Sequence, residues 1–233
     1  MSARRDELAA NLDAVRHRIA AAAHAANRDA DEITLVAVTK FFPASDVRLL
    51  AELGVTDVGE NRHQEARAKA GECADLDLCW HFIGGLQSNK AAAVASYADV
   101  VESVDRLKLV GPLNRGAHER SHEVDVLVQV SLDPPGAAGR SGADADELDA
   151  LAAAVEEAGM LRLRGLMAVA PLGTDPRRAY ARLAELRRGF VATHPAATWL
   201  SAGMSGDLEA AVEAGATHVR LGTAVLGRRP SNL

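Results

Sequence analysis

From residue 33 to residue 222 the chain alternates short apolar runs with stretches of helical periodicity, and this alternation limits the fold more than any other feature. The runs cover 33–39, 56–59, 80–84, 99–104, 124–130, 163–169, 198–202 and 218–222. Eight apolar strands with helices between them predict an α/β fold of the (β/α)8 type, a TIM barrel. The competing open, doubly wound sheet usually carries a glycine fingerprint after its first strand when it binds a dinucleotide, and here Lys40-Phe41-Phe42-Pro43 stands at that place. Hydrophobic residues make up 48% of the 233 positions but aromatics only 3%, so the core must be filled by Ala, Val, Leu and Ile, which suits parallel strands covered by helices. Leu8, Leu12, Val15 and Ile19 share one helical face ahead of the first strand. Residues 1–30 are therefore expected as an extra helix packed on the barrel, within one domain spanning 1–233.

A net charge of −6 with acids and bases interspersed leaves no footprint for nucleic acid or an anionic membrane. No signal-peptide core or membrane-length apolar run is present, so a cytoplasmic protein is expected, and the lack of an apolar surface stripe favours a monomer. Cys73 and Cys79 form no CxxC pair and no Cys/His cluster is evident, so no metal site is expected. His118-Glu119-Arg120-Ser121-His122 matches the HExxH pattern of zinc proteases, but it falls at the end of the helix entering the fifth strand, on the rim opposite the expected site. The breaker-rich loop 133–142 is expected to be mobile and to lie on the catalytic rim, while Gly54, Gly71, Gly159 and Gly215 are expected to end helices.

Chemistry converges at the C-terminal ends of the strands. Lys40 closes the first run, where a lysine can be desolvated, lose its proton and attack an aldehyde. The other lysines, Lys69, Lys90 and Lys108, read as solvated surface charges. The seventh strand is followed by Ser201-Ala202-Gly203-Met204-Ser205-Gly206 and the eighth by Gly222-Thr223-Ala224. Small residues let backbone N–H groups approach an anion, hydroxyls add donors, and the helix start after the seventh strand supplies a positive dipole end. Closure of a barrel sets the eighth strand beside the first, so an amine and a phosphate cup share one rim, an arrangement suited to pyridoxal phosphate. Arg220 shares a strand face with His218 and Gly222, from which its guanidinium could donate to a pyridine nitrogen. Asn61 could hydrogen-bond the cofactor or cap a helix, Met167 could pack against the ring or belong to the core, and His81 reads as a satisfied core histidine.

Together, Leu-Val-Ala-Val-Thr-Lys at 35–40, Gly-Glu-Asn at 59–61, Trp-His-Phe-Ile-Gly at 80–84, Leu-Gln-Ser-Asn-Lys at 86–90, Arg-Gly-Leu-Met-Ala at 164–168, Gly-Met-Ser at 203–205 and Val-Arg-Leu-Gly-Thr-Ala at 219–224 resemble the YggS/PROSC family over nearly the whole chain. The resemblance implies a barrel similar to the alanine racemase N-terminal domain that binds pyridoxal phosphate (PLP) and acts in vitamin B6 and amino-acid homeostasis without established catalysis. It implies Lys40 as the Schiff-base lysine, Ser205, Gly222 and Thr223 in the phosphate cup, and Arg220 facing the pyridine nitrogen. Asn61, Met167, Ser201 and Met204 complete the expected cofactor contacts, and apo forms of PLP-dependent enzymes are the expected partners. Thr39, Phe41-Phe42 and Arg62-His63 depart from the commoner residues of the family at those positions. The alternative is a PLP-dependent amino-acid racemase, which needs a second acid/base across the cofactor. Tyr97 and Tyr180 are the only tyrosines, neither is expected on the rim, and little chain follows the eighth strand for a second domain. A barrel aldolase would need a carboxylate or other acid/base near Lys40, and none stands out.

Overall fold

The structure, a computed structural model, describes residues 3–134 and 142–228. All eight apolar runs form strands: β1 Thr34–Val38, β2 Asp57–Glu60, β3 Cys79–Phe82, β4 Val100–Val104, β5 Val124–Gln129, β6 Leu161–Met167, β7 Trp199–Ser201 and β8 His218–Leu221. Each pairs in parallel with the next, and β8 pairs with β1, so the sheet is a closed barrel. β6 begins two residues earlier than the apolar run because Arg162 extends it as an outward residue, its Nε donating to Asp125 Oδ1 on β5 at 2.7 Å. Residues 135–141, most of the loop 133–142 expected to be mobile, lie outside the described residues.

The helices are α1 Ala3–Ala25, α2 Ala44–Glu52, α3 His63–Glu72, α4 Ala91–Ala95, α5 Val110–Arg120, α6 Leu148–Glu156, α7 Pro176–Thr193, α8 Leu208–Glu213 and α9 Thr223–Leu226. Gly54 and Gly215 follow α2 and α8 with positive φ, as stop signals do. Gly71 does not end a helix as expected: it lies in the last turn of α3, which closes instead on the Cys73 N–H bonded to Lys69 O. The HExxH pattern is broken by its backbone. α5 stops at Arg120, Ser121 turns left-handed, and His122 falls outside the helix.

α1 buries Leu8, Leu12, Val15 and Ile19 as its periodicity predicts. Its polar side chains reach the far side of two loops. Arg18 donates to Ser205 O at 2.8 Å and to both Glu209 carboxylate oxygens, while Asn11 and Arg4 donate to the carbonyls of Val225 and Leu226 at 3.0 Å each. The extra helix therefore braces the segments that follow β7 and β8.

Most of the core lies between the strands and the helices, and the barrel interior holds a separate small apolar cluster of Val100, Leu127 and Met167. A polar chain also runs through the interior. Asp57 Oδ1 lies 3.0 Å from His81 Nε2, His81 Nδ1 lies 2.8 Å from Glu102 Oε1, and Ser201 Oγ donates to Glu102 Oε2 at 2.6 Å. Arg220 donates to Ser201 Oγ at 2.6 Å and to Ala168 O at 2.9 Å, with Glu102 Oε2 at 3.5 Å. Burial disfavours the charges, but the hydrogen bond from His81 and the Arg220 guanidinium outweigh it and hold Glu102 down at about 2. Burial likewise works against a charged His81, and the Asp57, Cys79 and Glu102 partners overcome it, raising His81 well above its ordinary value. His218, buried against Trp199 with ring centres 4.4 Å apart, is pushed down to about 4 by desolvation.

Two outcomes follow from this interior. Glu102→Ala leaves Arg220 and His81 without their shared counter-ion and is expected to cost about 3–5 kcal/mol in urea unfolding, the scale of a broken buried pair. Stability is also expected to fall on acidification in two steps. Because the folded state disfavours a proton on His218, stability drops as pH falls from 6.5 towards about 4, and the depressed Glu102 extends the loss from 4.5 towards about 2. His81 acts with the opposite sign, stabilising below 6.5 and losing that contribution as pH rises through its raised value. Urea titrations in metal-free buffer should show the acid loss, and His218→Asn should flatten the stretch between 6.5 and about 4.

Candidate functional site

Parallel closure gathers the C-terminal strand ends on one rim. β1 and β8 pair with Val36 opposite Arg220 and Ala37 opposite Leu221. Beyond the pairing, a Cβ on Gly222 would sit 3.4 Å from Val38 O and 3.5 Å from Val38 Cβ, so the loop after β8 lies directly against the strand end that leads into Lys40. Lys40 is half-buried in the turn after β1, with its Nζ 6.0 Å from the centre of the Phe41 ring.

The residues on either side of Lys40 are fixed from below. Thr39 Oγ1 donates to Glu60 Oε1 at 2.6 Å, and the Phe41 N–H donates to Glu65 Oε1 at 2.6 Å. Lys69 Nζ joins them, donating to Thr39 O at 2.7 Å, Glu60 Oε1 at 2.7 Å and Glu65 Oε1 at 2.8 Å. Lys69 is thus not the solvated surface charge expected: α3 turns it inward over the end of β2, where it is buried and neutralised by two carboxylates. The same geometry corrects the expectation that no carboxylate stands near Lys40, since Glu60 and Glu65 flank it through its neighbours. Both are committed to Lys69, and burial raises Glu60 against the pull of that ammonium. Lys90 is half-exposed and Lys108 exposed, as expected.

Phe41 and Arg62, expected as departures from the commoner residues, meet each other. Arg62 Cζ stands 4.8 Å above the centre of the Phe41 ring, whose residue holds a left-handed φ of 71°, and Arg4 covers Phe42 at 5.6 Å. His63 stacks on Tyr97 with ring centres 5.8 Å apart. Asn61 is exposed at the rim, and its carbonyl leaves no room for a side chain at Gly84, where a Cβ would come within 2.2 Å.

In the loop after β7, Met204 is exposed and Ser205 half-buried; in the loop after β8, Gly222 is half-buried and Thr223 exposed. Gly222 opens α9, so the N–H groups of Thr223 and Ala224 lie in a first turn that has no intrahelical acceptors for them. Asp207 holds the other loop by accepting from the Met204 N–H at 2.6 Å and from Tyr180 Oη at 2.8 Å. Tyr180 therefore reaches the rim loop, contrary to expectation, because the buried face of α7 packs over the turn between β7 and α8. It is wholly buried, and desolvation together with Asp207 drives its hydroxyl upward, away from ionisation. Tyr97 Oη lies 3.4 Å from His63 Nδ1 in the helical layer.

Arg220 is inside the barrel, as the alternation of β8 predicts. Ser201 and Met167 are buried beneath the rim, Ser201 bonded to Glu102 and Arg220, Met167 packed with Val100 and Leu127. His81 is the satisfied interior histidine expected of it. One combination was not expected: Cys79, His81 and Asp57 converge at the opposite mouth of the barrel, correcting the expectation of no Cys/His cluster. The alternation Cys79-Trp80-His81 on a strand was the signal that could have found it.

The chain matches the family model described as alanine racemase, N-terminal domain, over residues 10–230. It is 44% identical over 245 residues to the pyridoxal phosphate homeostasis protein of Mycobacterium tuberculosis (strain ATCC 25618 / H37Rv), covering 97% of this chain and 94% of that protein. Among solved structures, PipY of Synechococcus elongatus PCC7942 with PLP bound is 34% identical with a TM-score of 0.81, covering 94% of this chain and 100% of that one. Alanine racemase of Clostridium difficile 630 in complex with cycloserine shares the fold at 14% identity and a TM-score of 0.71, covering 97% of this chain and 61% of that one. With its closed barrel and a match along almost its whole length, this chain belongs to the alanine racemase N-terminal domain family, among the pyridoxal phosphate homeostasis proteins.

Proposed function

We propose that this protein holds pyridoxal 5'-phosphate on Lys40 and serves vitamin B6 and amino-acid homeostasis as a carrier, without efficient turnover of amino acids. The observation that carries the reading is the contact of the loop after β8 with the end of β1, which sets an amine beside a cup of small and hydroxyl-bearing residues. The residues present fit the group: Lys40 for its aldehyde, and the Ser205 and Thr223 hydroxyls with the first-turn N–H groups of α9 for its phosphate. The PLP bound to PipY and the homeostasis role named for the mycobacterial relative support the same reading.

Bound here, the cofactor supplies an aldehyde that captures amines and a ring able to draw electrons from them. Lys40 would hold it through its amine, and the pinned Thr39 and Phe41 fix the backbone on either side of that lysine. Charge-assisted hydrogen bonds from the two loops would hold its dianion, with Met204 and Asn61 as bordering residues, and α1 and Tyr180 stiffen the loops from outside. Ser201 and Met167 act from below, Ser201 by holding Arg220. The Arg220 guanidinium would discourage a proton on any ring nitrogen it faced and so weaken the electron sink. Neither tyrosine is free to act as an opposing base, since Tyr180 donates to Asp207 and Tyr97 faces His63. The recipients are apo forms of PLP-dependent enzymes, and the carrier works as a cytoplasmic monomer.

Lys40→Ala is expected to abolish the adduct that borohydride fixes, read by intact mass, whereas Thr223→Val keeps the adduct but loses about 1–3 kcal/mol of cofactor affinity, the worth of a hydrogen bond to a charged group. A pyridoxyl group found on another lysine overturns the assignment. Deuterium exchange at the α-carbon of alanine or serine should be far slower than the roughly 1 per second of ordinary enzymes. Exchange at that rate, lost in Lys40→Ala, makes the protein a racemase-like enzyme instead.

A further inference from the structure

The barrel's N-terminal mouth carries a group of side chains that cofactor binding leaves unused. Asp57 opens β2 opposite Cys79, which opens β3, and His81 follows on the same interior face. An oxygen of Asp57, the Sγ of Cys79 and a ring nitrogen of His81 all lie within 4.8 Å of one another. His81 Nε2 is 3.0 Å from Asp57 Oδ1 and 3.5 Å from Cys79 Sγ. Around a tetrahedral zinc ion with bonds of about 2.0–2.3 Å, ligand atoms stand about 3.3–3.8 Å apart, so shifts of a few tenths of an ångström bring these pairs to ligating distance.

We propose that Asp57, Cys79 and His81 form a binding site for a divalent transition ion of the zinc class, at the end of the barrel opposite Lys40. A thiolate, an imidazole and a carboxylate select a borderline-soft ion over magnesium or calcium, which take oxygen ligands. Glu102 Oε1, 2.8 Å from His81 Nδ1, is the outer partner that metal-binding histidines commonly have, and it leaves Nε2 to face the ion. A structural ion pair explains Asp57 and Glu102 on either side of His81 but not the thiol. Nε2 carries at most one hydrogen, which cannot serve both the Asp57 carboxylate and Cys79 Sγ well, whereas an ion at their centre engages all three. On ligation the proton of the Cys79 thiol and any proton on Nε2 pass to solvent, and the two anionic ligands balance the dication. Asp57 and Cys79 are only half-buried, and Asp57 also lines the cleft between α1 and the starts of β1 and β2, which gives the ion a path. Water takes the fourth position, beside His218, whose ring centre is 6.1 Å from that of His81.

Titration of the purified, full-length, PLP-loaded protein with cobalt(II) tests the site. The expected result is a thiolate-to-cobalt charge-transfer band in the near ultraviolet that saturates at one equivalent and is displaced by zinc. The cofactor, held at the other end of the barrel, should stay bound. Cys79→Ser should lose the band and Cys73→Ser should keep it. In calorimetry with zinc, Asp57→Asn should weaken binding by more than the about 10- to 100-fold that loss of an outer-shell partner costs. A folded wild-type protein with neither the band nor saturable zinc heat overturns the proposal, as does a band that survives Cys79→Ser. Should Cys79→Ser fail to fold, the wild-type titration and Asp57→Asn decide.

Discussion

The pairing of β8 with β1 is the constraint on which the rest of the molecule depends. Every strand is parallel, so closing the sheet sets all eight C-terminal ends on one rim, and the register of Val36 against Arg220 decides which of those ends touch. A slip of one residue would turn Arg220 out of the interior and draw Gly222 away from Val38. Because the loops after β7 and β8 have short helices behind them, they gain their rigidity elsewhere. α1 grips both with Arg4, Asn11 and Arg18, and α7 holds one through Tyr180 and Asp207.

A second layer of control surrounds Lys40 without touching its amine. Buried Lys69 draws together Glu60, Glu65 and the Thr39 carbonyl, and the two carboxylates in turn hold the Thr39 hydroxyl and the Phe41 N–H. The backbone is therefore fixed immediately before and after the lysine, while its side chain is half-exposed. Phe41 and Arg62 act as one unit, since the Arg62 guanidinium lies on the Phe41 ring. That contact forms the outer edge of the rim, above the pins that hold Thr39 and Phe41.

Inside the barrel, few large apolar side chains are available, and a polar chain fills the space instead. Buried ions are tolerable only when each has partners, and Glu102 supplies them, joining His81 on one side to Ser201 and Arg220 on the other. The chain runs from Asp57 at one mouth to Arg220 near the other, so the groups at the two ends share a common support.

Fold and lysine were legible in the sequence alone, because strand runs, helical faces and the position of Lys40 at a run's end are local patterns repeated along the chain. Leu8, Leu12, Val15 and Ile19 likewise declared a buried helical face, and the period-two placement of Arg220 declared an interior one. Tertiary structure alone decided what lies between elements distant in sequence. Lys69 reads as a surface charge because nothing in its helix reveals that Glu60, on the preceding strand, waits beneath it. Tyr180 reads as an ordinary helical residue until α7 folds back over Asp207, and Cys79 looks isolated until β2 lines up beside β3 and brings Asp57 to it. Local periodicity tells which face of an element is buried, whereas the partner on the other side of that face is set by register and closure, which no single stretch of the chain contains.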